Sequence, residues 1–344
     1  LGDVYKRQMQ YAYIAAEEAM KQSGIEIEPE RTGIVMGTAM AGIATIAYTQ
    51  EALTGASHKK VGPRFIPKIL GNIAAANIAI DYNIQGPSFT VSTACSSGGD
   101  AINTACMCMQ SGKADIMLAV GAESVLCPLV IYSLANAKAL SRRNDSPSTA
   151  SRPFDVTRDG FVIGEGGGAL VLETEEHALA RGAKIYAEIR GCGNTDDAYH
   201  VTAPHPEGRG AIACMKQAIA EAGIKPSDIG YINAHGTATN KGDTVETSSI
   251  KKVFGNTLPY VSSTKGATGH MMGAGGITET ITCVKAIETG TVPPTINLNE
   301  VDPECAGIDF VANTAKKAEI NFAMSNAFGF GGQNSSIIVG KYGK

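Results

Sequence analysis

The chain has 344 residues, and its 29 Lys and Arg residues against 33 Asp and Glu residues give a formal net charge of −4. This mild acidity argues against a general nucleic-acid-binding protein, because phosphate affinity requires a broad excess of basic residues. Hydrophobic residues make up 44% of the chain and charged residues 18%, a composition that argues against disorder and allows a large buried core.

Apolar runs and helical periodicities alternate along the chain. Residues 1–8 match no pattern that continues, so we expect them to be a non-native scar and the chain to be a fragment. Helices are predicted at 9–24, 97–110, 210–223, 243–253 and 275–288, and strands at 33–36, 89–93, 116–120, 169–173, 185–189, 229–234, 260–263, 308–311 and 336–339. Short apolar strands between helices predict an α/β architecture with a mostly parallel sheet covered on both faces.

Two pairs of segments form a weak internal repeat. Residues 89–97 and 259–276 each read as a strand that runs into a helix start, while 160–172 and 328–339 each contain a Gly-rich strand. The repeat has two interpretations: the general similarity of α/β units, or a duplicated fold with a site between its halves. Because no Pro-rich or charged linker separates the halves, we expect them to pack as one body.

The cysteines and the apolar runs indicate the compartment. The eight cysteines include no C-x-x-C pair and match neither a zinc site nor a disulfide framework. No run of 18 apolar residues occurs, and the opening residues are polar, unlike a secretory signal. The sequence therefore predicts a reduced, cytoplasmic protein with no membrane span, in which most cysteines are small buried hydrophobes.

Cys95 is the candidate nucleophile. It follows the strand-like FTVSTA and precedes SSGGDAINTA, which has a helical pattern, so it is predicted at a strand-to-helix junction. The positive end of a helix dipole stabilises a thiolate at such a position, and the small neighbours allow a substrate to approach. The alternative is an inert buried cysteine, which is the common case for any single cysteine.

Two histidines occupy the same kind of junction. His235, in YINAHGTATNKGD, and His270, in VSSTKGATGHMMGAGG, each follow a predicted strand. Open α/β sheets bind their ligands at the carboxyl ends of strands. Either histidine alone could be a structural group with satisfied hydrogen bonds. Together with Cys95 they indicate a nucleophilic site.

Two further features accompany these three residues. Lys265 lies five residues before His270 and needs a counter-charge if it is buried; Asp243, Glu246 and Glu279 are the plausible partners. The segment FGFGG at 328–332 has three glycines, so it can move and can direct a backbone N–H at a reacting carbonyl. It contains no GK[ST] and is not a phosphate loop; the alternative is a simple turn between strands.

Four motifs carry a family resemblance: STACSSG, NAHGTATNKGD, STKGATGH and SNAFGFGGQN. They resemble, in the same order, those of the β-ketoacyl-[acyl-carrier-protein] synthases of the thiolase-like superfamily, and most closely the elongating type II synthases of bacterial fatty-acid synthesis. SRPFD, RDGFVIGEG, DDAYH and VPPTINL strengthen the match, which extends from about Met9 to Lys344. The strand and helix that usually precede Met9 in the family are missing, which supports truncation.

The resemblance implies a fold and an assembly. The fold is a five-layered αβαβα arrangement of two similar halves, which we expect at 9–174 and 175–344. The family forms homodimers, so a homodimer is expected here. The expected partner is an acyl carrier protein, which is acidic in this pathway, and Lys59, Lys60 and Lys138 match basic positions that would receive it, although each could equally be an ordinary solvated lysine.

The resemblance also implies site residues. The catalytic residues are Cys95, His235 and His270, and the backbone N–H groups of Cys95 and Phe330 form the oxyanion hole. The other implied positions are Lys265, Glu279 and Asp243 as supporting charges; Gly329, Phe330, Gly331 and Gly332 as a gate; Met40 and Phe161 in the acyl and malonyl pockets; and Thr237 and Thr239 on the pantetheine arm.

The implied reaction is a decarboxylating Claisen condensation by an acyltransferase. Cys95 takes an acyl chain from a phosphopantetheine thioester, His235 and His270 bind the malonyl thioester as carbon dioxide leaves, and the carbanion attacks the acyl group. No metal or redox cofactor is expected, because the departing carboxylate supplies the carbanion.

Rival classes fit the sequence less well. Polyketide ketosynthases usually show D-T-A-C-S-S-S and K-x-N-x-G-H, where this chain has STACSSG and STKGATGH. An initiating synthase would carry Cys-His-Asn, and a thiolase would carry a second catalytic cysteine. A non-catalytic chain-length partner generally lacks the nucleophile. A fragment that acts only as a binding surface stays open as an alternative.

Overall fold

The computed structural model describes residues 6–55 and 61–344. The helices are α1 (Arg7–Ser23), α2 (Ile43–Thr54), α3 (Phe65–Ile69), α4 (Ile73–Tyr82), α5 (Ser97–Gln110), α6 (Pro128–Asn136), α7 (Glu175–Ala180), α8 (Arg209–Ala222), α9 (Asn240–Phe254), α10 (Lys265–Thr268) and α11 (Gly275–Thr289). The strands are β1 (Thr32–Gly37), β2 (Ser88–Val91), β3 (Ile116–Glu123), β4 (Gly166–Glu173), β5 (Glu188–Asp196), β6 (Ile229–Asn233), β7 (Tyr260–Ser262), β8 (Thr291–Val292), β9 (Asp309–Phe310), β10 (Lys316–Lys317), β11 (Phe322–Phe328) and β12 (Gln333–Gly340).

Two mixed sheets have corresponding strand orders. The first runs β2-β1-β3-β4 and the second β5-β12-β11-β6-β7-β9. In the first, β1 is parallel to β2 and β3, and β4 is antiparallel to β3. In the second, β6 is parallel to β7 and β11, and β12 is antiparallel to β11. Two similar halves, predicted from the repeat and the family resemblance, are therefore confirmed, and the sheets are mostly parallel as expected.

The layers follow from which strand faces are buried. In β1, Ile34 and Met36 pack outward against α1 and α4, whereas Val35 packs inward against α5. In the second sheet, Ile338 of β12 faces α8 and α9, while Ile337 faces the central pair α5 and α11. Successive residues of a strand point to opposite faces, so strands covered on both sides read as continuous apolar runs. The five-layered α/β fold is confirmed.

Glycines let the two central helices meet at their N-terminal ends. A Cβ on Gly98 of α5 would lie 2.7 Å from the backbone N of Ile277, and one on Gly276 of α11 would lie 2.4 Å from the backbone N of Gly99. Side chains at these positions would force the backbones apart. The close approach brings the residues just before each helix to the same place between the sheets.

Some predicted elements differ from the structure. Helix α5 matches its predicted bounds, but α1 begins at Arg7 rather than Met9, and Gln8 is buried, with its amide donating to Thr38 Oγ1 and the Ala122 carbonyl at 3.3 Å each. Within the stretch expected to be a scar, residues 1–5 lie outside the described residues, and the non-native origin of 1–8 stays a prediction. The boundary between 174 and 175 also stays a prediction.

Strand β5 begins three residues later and ends seven residues later than predicted, for a packing reason. Its sequence EIRGCGNTD is weakly apolar because Gly191 and Gly193 lie against α8. A Cβ at these positions would lie 2.2 Å from the Ala218 carbonyl and 2.1 Å from the Cys214 carbonyl, respectively. Close packing thus requires glycines at these two positions, and glycines do not contribute to the apolar pattern from which strands were predicted. The elements that were not predicted are strands β8, β10 and β11 and helices α2, α3, α4, α6, α7 and α10.

Candidate active site

Cys95 lies where predicted, at the junction between β2 and α5. It occupies a short 3₁₀ turn over Ala94–Ser96 and is 8% exposed. Ala94 has a φ of 51°, a left-handed conformation that non-glycine residues rarely adopt. The Cys95 Sγ lies 3.1 Å from His270 Nε2. The strained turn thus presents the thiol to a histidine from the other half of the molecule.

The electrostatics of Cys95 differ from the expectation of a helix-stabilised thiolate. Burial raises the pKa of the thiol to about 11, which outweighs the hydrogen bond from the Phe330 backbone N–H and the charge of Lys265. Desolvation disfavours the charged form of any buried group. Cys95 is therefore a neutral thiol at pH 7, and a base must take its proton before it can attack.

His270 and His235 meet edge to face beside the thiol. Their ring centroids are 5.3 Å apart at 86°, and the Phe161 ring packs edge-on against His270, also at 5.3 Å. Burial lowers the pKa of both imidazoles well below the usual value, and the charge of Lys265 lowers it further. Both histidines are therefore neutral at pH 7, when each can accept a proton at one nitrogen and donate from the other.

Main-chain contacts fix His270. Its backbone N–H donates to the Val162 carbonyl at 2.7 Å, and its carbonyl accepts from the Gly164 N–H at 2.9 Å. The RDGFVIGEG segment, which contains Phe161, therefore pairs with the His270 segment through a short parallel β-bridge. These bonds fix the backbone from which the His270 ring projects.

Carboxylates hold the His235 loop. Glu246 accepts from the backbone N–H groups of His235 and Gly236 at 2.8 Å each. Asp243 accepts from the Ala238 N–H at 3.2 Å and lies 3.4 Å from the Arg158 guanidinium. Both residues were weighed as counter-charges of Lys265, but Glu246 accepts from the turn that carries His235, and Asp243 accepts from this turn and from the Phe154 N–H at 2.8 Å.

Lys265 pairs with Glu279, the third of the predicted counter-charges. The two charged groups are in direct contact and both side chains are buried. Breaking such a pair by removing one partner leaves an uncompensated charge in the interior. The ammonium group also lowers the pKa of Cys95, His235 and His270, so its field reaches all three residues.

The glycine-rich loop lies against the nucleophile. Phe330 is 39% exposed, and its backbone N–H donates to Cys95 Sγ. Gly331 and Gly332 have φ values of 97° and 87°, which side chains rarely adopt. The loop is tied to the DDAYH segment: the Gly331 N–H donates to the Val201 carbonyl at 2.8 Å, and the Gly332 carbonyl accepts from the Asp197 N–H at 2.8 Å. Gly329 has no room for a side chain, since a Cβ would lie 2.7 Å from the Thr93 carbonyl.

An apolar cluster surrounds Cys95 on its other side. Its buried members are Cys95, Val125, Cys127, Val130, Leu134, Phe161 and Met272. Met40 packs against this cluster from the loop that follows β1. The cluster offers an apolar lining next to the thiol, the environment that a hydrocarbon chain requires.

Thr237 and Thr239 lie in the turn after His235. Their hydroxyl oxygens are 3.0 Å apart, with Thr237 buried and Thr239 half-buried. One hydroxyl donates to the other, and each retains capacity for a further hydrogen bond. The pair can bind a polar chain that enters beside His235.

The three candidate catalytic residues also form a potential metal-binding set. Cys95 Sγ and one nitrogen of each histidine, His235 and His270, lie within 4.8 Å of one another. A thiolate and two imidazoles are ligand types that zinc prefers. The expectation that the reaction needs neither metal nor cofactor stays a prediction.

Sequence reasoning missed the backbone strain at the site. Ala94 precedes Cys95, Ala238 lies three residues after His235, and Met272 lies two residues after His270; their φ values are 51°, 67° and 45°. Strained residues cluster at functional sites because the surrounding structure holds them. No residue type signals this, since alanine and methionine are common in ordinary helices.

Within residues 6–55 and 61–344, no helix combines the length and the apolar character needed to cross a membrane.

The chain matches two family models along most of its length. "Beta-ketoacyl synthase, N-terminal domain" matches residues 3–178, and "Beta-ketoacyl synthase, C-terminal domain" matches residues 186–299. The chain is 44% identical to the 3-oxoacyl-[acyl-carrier-protein] synthase 2 of Coxiella burnetii, over 97% of this chain and 81% of that protein. It is also 44% identical to the mitochondrial 3-oxoacyl-[acyl-carrier-protein] synthase of Arabidopsis thaliana, over 95% of this chain and 73% of that protein.

Solved structures give the same picture. The ishigamide ketosynthase/chain length factor superposes with a TM-score of 0.92 at 34% identity, over 99% of this chain and 83% of that one. A type II polyketide acyl-carrier protein in complex with its ketosynthase gives a TM-score of 0.91 at 34% identity, over 98% and 85%. A β-ketoacyl synthase from Burkholderia phymatum gives 0.91 at 34% identity, over 98% and 83%.

Proposed function

The chain belongs to the β-ketoacyl synthase family, and from this premise we propose that it is an elongating 3-oxoacyl-[acyl-carrier-protein] synthase of fatty-acid synthesis. It is an acyltransferase that condenses malonyl-carrier protein with an acyl chain held on Cys95. The single observation that carries the proposal is the 3.1 Å contact between Cys95 Sγ and His270 Nε2 at the meeting point of two helix starts. Identity to the 3-oxoacyl-[acyl-carrier-protein] synthase 2 of Coxiella burnetii, at 44%, exceeds the 34% identity to the type II polyketide ketosynthase structure.

The first step loads the acyl chain. The neutral His270 takes the proton of the Cys95 thiol, and the thiolate attacks the thioester carbonyl of the acyl-pantetheine. The carbonyl oxygen becomes an oxyanion that accepts from the backbone N–H groups of Cys95 and Phe330. The tetrahedral intermediate then expels the pantetheine thiolate, which takes the proton from His270, and a thioester remains on Cys95. The Phe330 N–H that now donates to the sulfur supports this role.

The second step forms the carbon–carbon bond. The malonyl thioester carbonyl accepts hydrogen bonds from His235 and His270, which stabilise the enolate as the carboxylate leaves as carbon dioxide. The carbanion attacks the acyl carbonyl on Cys95, the bond from that carbonyl to Cys95 Sγ breaks, and the departing Cys95 thiolate takes a proton from water. The neutral state of both histidines supports this role, since each can then bind a carbonyl as a donor without giving up its proton.

Burial keeps the histidines neutral, and Lys265 reinforces that state. Its ammonium charge lowers the pKa of both imidazoles, and Glu279 compensates for the charge in the interior. The acyl chain extends from Cys95 into the apolar cluster that includes Met40, and Thr237 and Thr239 bind the pantetheine arm. No metal or redox group takes part, because decarboxylation generates the carbanion.

An acyl carrier protein delivers both substrates. One structural relative is a ketosynthase in complex with its acyl-carrier protein, which supports this partner. Of the lysines proposed to receive it, Lys138 is exposed, whereas Lys59 and Lys60 lie outside the described residues. Attraction between an acidic carrier and a basic rim would raise the association rate and weaken with salt.

We also propose that the enzyme is a homodimer that forms through the β2 edge. Strand β2 has a neighbour on one side only within the described part of the chain, and Phe89 on it is 48% exposed. Ile80 of the adjacent α4 and Met107 of α5 are 75% and 52% exposed. An apolar edge of this kind is a site for pairing with another chain. Phe89→Lys should give a monomer by light scattering, while Ile14→Lys on α1 should not.

The cytoplasm is the proposed location. Within the described part of the chain, all eight cysteines are free thiols, although seven of them are buried and so protected from oxidants. Reduced thiols of this number suit a reducing compartment.

Reconstitution of the reaction tests the function directly. Acyl-carrier protein and malonyl-carrier protein incubated with the enzyme should give the 3-oxoacyl product and an equal amount of carbon dioxide. Cys95→Ser should give no product, while Cys108→Ser, at a buried cysteine of the following helix α5, should retain it. Product formation by Cys95→Ser, or none by the folded wild-type chain, would overturn the assignment.

A further inference from the structure

A buried carboxylate that the proposed mechanism does not use lies between the acyl pocket and the His270 loop. Glu123 is the last residue of β3 and has no exposed surface. Its carboxylate accepts from the Ala39 N–H at 2.5 Å, the Thr38 hydroxyl at 3.1 Å, the Met40 N–H at 3.3 Å and the Gly273 N–H at 3.3 Å. A buried charge is costly unless several donors satisfy it, and this one has four.

The four donors belong to two separate segments. Three of them come from the loop after β1, whose Met40 packs against the apolar cluster that contains Cys95. The fourth, Gly273, lies in the turn over Met272–Ala274, just after His270 and before α11. One carboxylate therefore bonds the wall of the proposed acyl pocket in the first half and the histidine junction in the second half.

Both segments are strained next to this contact. Ala41 and Met272 each have a φ of 45°. The segments also touch: a Cβ on Gly273 would lie 2.5 Å from the Ala39 backbone N and 2.8 Å from Glu123 Oε2. Conformations of this kind persist only where surrounding contacts hold them. The Glu123 carboxylate supplies those contacts to both loops at once.

We propose that Glu123 is a positioning residue that couples the acyl pocket to His270. An acyl chain on Cys95 displaces Met40, and the shared carboxylate passes this displacement to Gly273 and hence to the orientation of His270. Malonyl decarboxylation then proceeds faster when the pocket is filled. This inference rests on the proposed condensation, because it assigns the coupling between its two half-reactions.

The test compares decarboxylation with Cys95 acylated and unacylated. Wild type should release carbon dioxide faster in the acylated form, and in Glu123→Gln the ratio of the two rates should fall to near one. In condensation, kcat should fall roughly tenfold or more, because small misplacements of catalytic groups have large effects on rate. The KM for malonyl-carrier protein should change little, since Glu123 touches neither the carrier nor the pantetheine arm.

Two further variants reach the same junction differently. Gly273→Ala pushes a methyl group between the loops without removing a charge, and Thr38→Val removes one of the four bonds. Both should lower the rate ratio in the same direction. The matched control is Glu165→Gln: Glu165 accepts from the nearby Ser124 hydroxyl and Leu126 N–H but bonds neither loop, so the ratio should stay at the wild-type value.

The outcomes separate this inference from the proposed function. If the wild-type enzyme does not condense, the proposed function fails. If it condenses but its rate ratio is already one, or if the folded Glu123 and Gly273 variants keep the wild-type ratio, the coupling role is wrong. If Glu123→Gln does not fold, Gly273→Ala and Thr38→Val decide the question in the same assay.

Discussion

The junctions that carry Cys95 and His270 occupy equivalent places in the two halves. Strand β2 leads into α5 and strand β7 leads towards α11, and each lies next to the corresponding strand of its sheet, β1 or β6. Cys95 lies in an apolar cluster, whereas His270 lies near the buried Lys265–Glu279 pair. The duplicated scaffold thus sets where the reactive groups meet, and the local surroundings set what each group can do.

The difference shows most clearly in the charges. Burial alone opposes ionisation of both side chains, which raises the pKa of the Cys95 thiol and lowers the pKa of the His270 imidazole. The Lys265 charge then favours the thiolate and disfavours the imidazolium. One lysine in the second half therefore assists the nucleophile of the first half and keeps its own histidine neutral.

Substituting Cys95 and His270 one at a time should give the largest losses of activity, and the two variants should lose different half-reactions. Cys95→Gln should lower condensation by roughly 10³-fold or more, because no covalent acyl-enzyme can form. It should retain malonyl decarboxylation, since His235 and His270 still bind the thioester. His270→Ala should lose decarboxylation while retaining some acyl transfer to Cys95. The measurements are carbon dioxide release and incorporation of a labelled acyl chain.

Loss of both partial activities in both folded variants would contradict separate roles for the two junctions. Cys108→Ser serves as a control and should keep both activities, since Cys108 is buried in α5 and lies outside the apolar cluster around Cys95.

The sequence predicted these junctions because their signals are local. Helix α5 begins at Ser97 as predicted, and Cys95 and His270 both follow strands. Small residues and glycines at 96–99 and 273–276 are visible in the sequence and reflect the close approach of the two helices. The two junctions could be predicted because their close packing requires particular residue types that the sequence shows.

The remaining features arise from tertiary contacts. Strand β11 was missed because its buried Ser325 and Asn326 interrupt the apolar run; Asn326 is satisfied by the Ser336 hydroxyl on β12. The low thiolate character of Cys95 and the donors around Glu123 depend on burial and on loops distant in sequence. No local pattern encodes either property.

Removing the lysine tests whether one charge serves both junctions. Lys265→Met leaves Glu279 buried without a partner and should lower the free energy of unfolding by about 3–5 kcal/mol. The double variant Lys265→Met/Glu279→Leu removes both charges and should recover most of that loss. Because Lys265 lowers the pKa of His235 and His270, both pKa values should rise in the double variant.

The sign of the pH effect follows from that rise. A protonated imidazole cannot take the proton of the Cys95 thiol, and it meets the enolate as a cation rather than as a neutral donor. As the pH falls, the double variant should therefore lose condensation at a higher pH than wild type does. Lys285→Met, an exposed lysine of α11, should leave the profile unchanged. A pH–rate profile checks this, and coincident acid limbs in wild type and the double variant would show that Lys265 acts on neither histidine.

The glycine-rich loop belongs to the second half and lies against the Cys95 junction of the first half. Removing the Phe330 ring of this loop should change the ratio of carbon dioxide to product several-fold. We predict two states, one in which the Phe330 ring blocks the path to Cys95 and one in which acylation has moved it aside. Phe330→Ala should raise carbon dioxide release relative to 3-oxoacyl product, because malonate then reaches the histidines before an acyl chain is loaded. Gly331→Val should slow both half-reactions, since its φ of 97° is costly for a β-branched residue. An unchanged ratio in Phe330→Ala would show that the loop is a passive turn.

The last comparison has no expected effect on activity, because it concerns the scaffolds themselves rather than the chemistry. Strand β12 is paired on both sides, by β11 and β5, whereas its counterpart β4 is paired only with β3 within residues 6–55 and 61–344. A cavity of about 1020 Å³ lies along β4, lined by Leu170 and Leu172 among other residues.

Backbone N–H groups without a partner strand exchange with solvent through smaller openings than groups in a doubly paired strand. We therefore expect the outward-facing amides of β4 to exchange roughly tenfold or more faster than those of β12 in native-state hydrogen exchange followed by mass spectrometry. Equal protection of the two strands would mean that the second half stabilises the first as a single cooperative unit, and that the similarity of the halves extends to their local stability.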